Sequence, residues 1–156
     1  MESTTHEQSV YMVAEIQLVY RSKVKPSQRP KITTSRDAYN IFLDSWDKDL
    51  IELVEQFKVM LLNRANKVLG ILELSTGGIT GTVADPKLIF AAAVKSAACG
   101  IVLCHNHPSG LMKPSKQDEL LSSKIKEAGK FLDINVMDSL IISTETYYSF
   151  ADEGLL

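Results

Sequence analysis

Between positions 105 and 118 the chain reads His105, Asn106, His107, Pro108, Ser109, Gly110, Leu111, Met112, Lys113, Pro114, Ser115, Lys116, Gln117, Asp118, and two of its three histidines fall there. Side chains at i and i+2 of an extended segment point the same way, so His105 and His107 can each offer an imidazole nitrogen to a single ion. Asp118 falls in the first turn of a following helix, where a carboxylate can turn back toward the strand end as a third ligand. Two imidazoles and one carboxylate suit zinc, and three protein ligands leave a fourth tetrahedral position for water, which distinguishes a catalytic from a structural zinc. Water on such an ion has a pKa of about 7 and is a nucleophile at neutral pH. The plainer reading of the same residues is a capping-box-like helix start at Ser115 and Asp118, preceded by two polar loop histidines.

A metal hydrolase of this kind also needs a proton carrier that is not a ligand. Glu73 is the candidate, because it sits in Val68-Leu69-Gly70-Ile71-Leu72-Glu73-Leu74, a run apolar on both strand faces. A lone carboxylate buried there needs a partner or a task, whereas a solvated glutamate at a strand end needs neither. Glu52 and Glu55 are weaker candidates for the same role, because they precede the neighbouring strand and read as solvated. Cys104 adjoins His105, but alternation turns it to the opposite face, so it is not a ligand. The letters H-N-H lend no support to a nuclease, whose motif spreads those residues over a much longer segment. The glycine-rich stretch from Gly77 to Thr82 lacks the Gly-Lys-Ser/Thr ending of a phosphate loop and reads as a turn.

The surrounding elements follow from periodicity. Residues 1 to 10 have no rhythm and read as a loose tail, and Ala14 to Tyr20 alternates apolar and polar positions as a half-buried strand does. Arg21 to Lys31, with Arg21, Lys23, Lys25, Arg29, Lys31 and two prolines, reads as an extended, solvated connector. Ser35 is expected to cap a helix with Ala38, Ile41 and Phe42 on one face, ending near Trp46. Phe57 to Leu62 and Val68 to Leu74 form a hairpin around residues 63–67, and Asp85 with Pro86 opens a helix reaching about Ala98. Ile101 to Cys104 is a short apolar strand that delivers the chain into a loop from His105 to Pro114. Ser115 then opens a helix with Leu121, Ile125, Ala128 and Leu132 on one face, and Ile134 to Ile142 supplies a last strand before an edge piece at Tyr147 to Phe150. Alternating strands and helices without an internal repeat give an α/β fold, a mixed sheet covered by helices.

Composition narrows the function classes. The 156 residues, 45% hydrophobic and 23% charged, suit one globular domain. Seventeen basic and nineteen acidic side chains leave a formal charge of -2, so there is no general pull toward nucleic acid or anionic membrane. The longest apolar run, Leu88 to Val94, falls far short of the roughly 20 residues that cross a bilayer. The polar N-terminus lacks the pattern of a secretory leader, and two cysteines, Cys99 and Cys104, make no disulfide framework. These features together point to a cytoplasmic protein in which both cysteines are small buried residues.

The string His105-Asn106-His107-Pro108-Ser109-Gly110, with Pro114-Ser115 and Asp118, resembles the RadC-type branch of the JAB/MPN proteins, which carry the JAMM zinc-metalloprotease motif. The likeness runs from about Ser35 to the C-terminus and takes in Glu73-Leu74, Asp85-Pro86 and Tyr147-Tyr148-Ser149-Phe150. It implies a cytidine-deaminase-like, three-layer α/β/α fold over residues 35–156, after a tail, strand and basic connector over 1–34. It further implies Zn2+ held by His105, His107 and Asp118, with Glu73 moving the proton and Ser115 stabilising the tetrahedral oxyanion. The expected activity is cleavage of a peptide or isopeptide bond in a peptide or protein substrate. Two departures are visible. The 34 residues before Ser35 leave no room for the DNA-binding helix-hairpin-helix region of longer relatives, and Asp138-Ser139-Leu140 stands where many have Asp-His. Nucleic-acid contact through Arg21, Lys23, Lys25, Arg29 and Lys31 is therefore the less favoured alternative, beside a non-catalytic binding module.

Overall fold

A computed structural model describes residues 12–78 and 84–156. Thr34 opens the first helix, α1 (Ser35–Ser45), through a reciprocal capping box with Asp37, so the cap lies one residue before the expected Ser35. The Ser35 hydroxyl instead meets Tyr147 Oη at 2.9 Å and donates to Asp152 Oδ2 at 2.5 Å. Strands β1 (Gln56–Leu62) and β2 (Val68–Thr76) form the expected antiparallel hairpin. Asn66 takes a left-handed φ of 58° in the turn, and Asn63 Oδ1 accepts from the Ala65 and Lys67 amides.

Helix α2 (Pro86–Lys95) is capped by Asp85 and stops earlier than the expected Ala98, because Ala97 enters the left-handed region at φ 54°. Strand β3 (Gly100–Asn106) reaches two residues beyond the expected end, so His105 belongs to the strand rather than to the loop after it. Helix α3 (Lys116–Phe131) and strands β4 (Asn135–Ile142) and β5 (Tyr147–Ser149) complete the order. Gly129 lets α3 pack closely on the start of β4: a Cβ at that position would collide with the Ile134 carbonyl oxygen. Leu132, expected on the buried face, is the exposed C-cap.

The sheet order is β2-β1-β3-β4-β5, with β3 and β4 parallel and the other neighbours antiparallel. Alternation sends Val102 and Cys104 to one face, against Phe42 and Trp46 of the α1 region, and Ile101 and Leu103 to the other, against Ile89 and Ile125 of α2 and α3. The result is three layers, helix on sheet on helices, a mixed α/β architecture consistent with the JAB/MPN fold. Among the described residues no helix is long and apolar enough to cross a membrane.

Two further expectations fail. Residues 14–20 form no strand; Ile16 and Leu18 are 88% and 78% exposed, and the Tyr20 hydroxyl donates to the Leu69 carbonyl at 3.2 Å. Alternation gives a segment the capacity to bury one face, and here no neighbouring strand takes it up. Cys99 is exposed, whereas Cys104 is buried as expected. Arg21, Lys23, Lys25 and Lys31 are exposed along the connector, which carries one short 3-10 turn, Pro26–Gln28. The expected tail at 1–10 and most of the expected glycine turn lie outside the described residues.

Candidate metal centre

His105, the penultimate residue of β3, faces the α2/α3 side, stacked on Phe57, its antiparallel partner in β1 (centroids 5.9 Å, planes 4° apart). The chain stays extended for one more residue pair, and the His107 amide bonds the Ile142 carbonyl at 3.2 Å. The two histidines therefore leave the carboxyl end of β3 on one side, the end at which open α/β sheets bind ligands. Their Nε2 atoms lie 3.1 Å apart. Asp118 reaches them from the first turn of α3, Oδ1 at 3.4 Å from His105 Nε2 and Oδ2 at 3.6 Å from His107 Nε2.

The plainer reading of Ser115 and Asp118 also holds, and the two readings are compatible. Asp118 Oδ2 accepts the Ser115 amide at 2.8 Å and Ser115 Oγ accepts the Asp118 amide at 3.1 Å, a complete capping box. The cap fixes the carboxylate at the helix start with Oδ1 turned to His105. His107 Nδ1 lies 2.6 Å from the Leu111 carbonyl, so that ring nitrogen carries the proton and Nε2 presents a lone pair to the cluster. These donors fit a divalent ion of the zinc type, two neutral imidazoles with an anionic oxygen beside them.

A second carboxylate stands in the same place. Among the described residues, Glu55, His105 and His107 each present a ligand-type atom, all within 4.8 Å of one another. Glu55 immediately precedes β1, two residues before Phe57, and its backbone is held by Gly77 N to Glu55 O at 2.8 Å. Asn106, fully buried between the two histidines, braces this segment: its Nδ2 donates to the Ile51 and Val54 carbonyls at 2.7 and 2.9 Å, and its Oδ1 accepts the Gln56 amide at 2.7 Å. Burial pushes the Glu55 carboxyl above the usual carboxylate range, with the two histidines pulling it back down and Asp118 adding to the rise. Burial opposes the charged form of Asp118 as well, but hydrogen bonds from His105 and His107 hold its carboxyl well below the usual range. Burial likewise works against protonated His107, and hydrogen bonds to Asp118 and the Leu111 carbonyl outweigh it, so its pKa is raised.

Glu73 lies elsewhere. It pairs with Lys58, which in turn pairs with Cys104, so it belongs to the sheet face opposite His105. Its Oε1 accepts from Gln56 Nε2 at 3.0 Å and from Thr76 Oγ1 at 2.9 Å, and the residue is exposed. Its strand is at the sheet edge, where a carboxylate reaches water without a charged partner. Glu55, the weaker candidate expected to be solvated, is instead half-buried in the cluster, and Asn106 was not foreseen as its brace, since only the pairing of Phe57 with His105 reveals that the start of β1 abuts the end of β3. Beside His107 a groove of about 290 Å³, lined among others by Glu52, Pro108, Thr144 and Glu145, opens to solvent.

A mixed, helix-covered sheet with a histidine and carboxylate cluster at a strand's carboxyl end defines an α/β protein with a candidate metal centre. The family model that matches residues 32–155 is the RadC-like JAB domain, and the chain belongs to that family. It is similar to a UPF0758 protein of Flavobacterium johnsoniae, 42% identical over 149 residues that cover 94% of this chain and 63% of the relative. A UPF0758 protein of Porphyromonas gingivalis is 43% identical over 136 residues, 84% of this chain and 59% of its own length. One from Clostridium tetani is 34% identical over 134 residues, 85% and 57% of the two chains. The chain thus spans about three fifths of the length of the curated relatives it matches.

Proposed function

We propose that the protein is a zinc-dependent hydrolase of peptide or isopeptide bonds, with His105, His107 and Asp118 holding the ion. The observation that carries the reading is the convergence of both Nε2 atoms and the Asp118 carboxylate within 3.1 to 3.6 Å of one another, with Glu55 alongside. When bound, the ion supplies Lewis acidity that polarises a carbonyl and acidifies water.

The protein groups do the rest. Two carboxylates share the site: Asp118, fixed by the Ser115 cap with Oδ1 toward His105, is the ligand, and Glu55, half-buried beside both histidines, is the proton carrier. Glu55 takes a proton from the attacking water and returns it to the leaving amine. Ser115, at the mouth of the site, donates its hydroxyl proton to the developing oxyanion while its oxygen stays in the helix cap. The groove beside His107 receives the chain flanking the scissile bond. Glu73 has no part in this scheme.

The test pairs metal retention with turnover on a panel of peptide and isopeptide substrates. Glu55→Gln keeps its zinc and loses cleavage; cleavage at the parent's rate by the zinc-loaded variant removes Glu55 from the mechanism.

A further inference from the structure

His105 has a loose end. If Nε2 faces the ion, the ring's proton sits on Nδ1, and that nitrogen is buried with no hydrogen-bond partner among the described residues. Ligating histidines ordinarily donate this second N–H to a carbonyl, a carboxylate or a water, which fixes the tautomer and aims the ring. His107 does so through Leu111, whereas His105 has no such acceptor among the described residues.

The same sheet face supplies the missing piece. Leu103 pairs with Ser139 and His105 with Ile141 across the parallel β3/β4 ladder, so Ser139 neighbours His105 diagonally on the α3 side. Ser139 and Ser122 are both buried, and the Ser122 hydroxyl donates to Ser139 Oγ at 3.0 Å. Two hydroxyls in an otherwise apolar layer are costly unless they serve a polar purpose. A small cavity of about 30 Å³ is lined by both serines and His105, together with Glu55, Phe57, Asp118 and Leu121. One water needs at least about 10–15 Å³ measured this way, together with two or more polar partners.

We propose that Ser139, oriented by Ser122, is a positioning residue for His105: through one water in this cavity it accepts the Nδ1 proton and locks the ring with Nε2 toward the ion. The inference rests on the metal reading of the site, and it extends that reading from the ligands to their support. Ser122 gives its proton to Ser139, leaving a Ser139 lone pair for the water, which also receives the Nδ1–H. The arrangement makes Ser139 matter to metal affinity without touching the metal.

The experiment uses the full chain and its Ser139→Ala and Ser122→Ala variants. Zinc affinity is measured by chelator competition, and the His105 ring nitrogens and their protons are observed by NMR in the metal-free chain. The expected result is an Nδ1-protonated His105 with a slowly exchanging proton in the parent. Ser139→Ala loses that slow proton and binds zinc about 10-fold more weakly, with a smaller loss in Ser122→Ala. A Ser139→Ala chain with unchanged affinity overturns the proposal, as does weaker zinc binding with the Nδ1 proton unaltered, which marks a merely structural role. Should the parent bind no zinc, the metal reading fails; the Nδ1 proton, present in the parent and lost in Ser139→Ala or not, then decides the positioning role separately.

Discussion

Glu55 and Glu73 flank the same strand pair, one before β1 and one within β2, yet they end on opposite faces with opposite surroundings. On the Glu73 face the carboxylate is exposed and held by Gln56 and Thr76, near Lys58, whose Nζ lies 4.4 Å from the centre of the Trp46 ring. On the other face Glu55 lies beside two histidines and a second carboxylate, half-buried, with its pKa raised. The first setting satisfies a charge and stops there; the second, by burying the carboxyl, favours its protonated form more than water does. Register decides which setting a residue enters, so residue type and local apolarity alone mislead.

The sharpest way to break this contrast is to neutralise each carboxylate in turn. Glu55→Gln should lower turnover by about 10²–10⁴-fold at unchanged zinc content, while Glu73→Gln stays within about two-fold of the parent. Equal losses in both variants, measured at matched zinc loading, would erase the distinction.

Asn106→Ala comes next. It deletes three hydrogen bonds, two of them buried and one part-buried, that tie residues 51–56 to the end of β3, a loss of about 3 kcal/mol at roughly 1 kcal/mol each. Thermal unfolding should show the drop, and turnover should fall with it as Glu55 loses its footing. A stable variant would mean that the segment is held by other contacts.

Acidity offers a gentler lever. The ion must displace the proton of His107, whose pKa is raised above its ordinary 6.5. Zinc affinity should therefore decline as pH falls through a range beginning above 6.5, where an ordinary histidine would still be neutral. In the metal-free chain the sign reverses for stability: the protonated His107 and Asp118 pair favours the fold at mildly acidic pH, and that contribution disappears as pH rises through the raised pKa. Titrations of zinc binding and of melting temperature between pH 5 and 8 read both effects. The smallest change is expected on the Glu73 face, where Lys58→Met should shift stability by no more than about 1 kcal/mol and leave zinc binding alone.

The layered α/β fold was legible because its signals are local. The Asp85-Pro86 helix start, the Asn63–Lys67 hairpin turn and the apolar run of β3 each announce themselves within a few residues. His105, His107 and Asp118 stood out for the same reason: one strand end and one helix start, thirteen residues apart, bring them together with no distant contact required. Glu55 was hidden because its place depends on a pairing between residues 57 and 105. Ala14 to Tyr20 misled in the other direction, its alternation being a capacity that the fold leaves unused.

Zinc content per chain tests directly whether the histidine and aspartate cluster holds an ion. Elemental analysis of protein purified without chelators, beside a His107→Ala variant treated identically, should find about one zinc in the parent and little in the variant. No zinc in either, even after zinc is offered, would contradict the account and leave Ser115 and Asp118 as a helix cap beside two polar histidines.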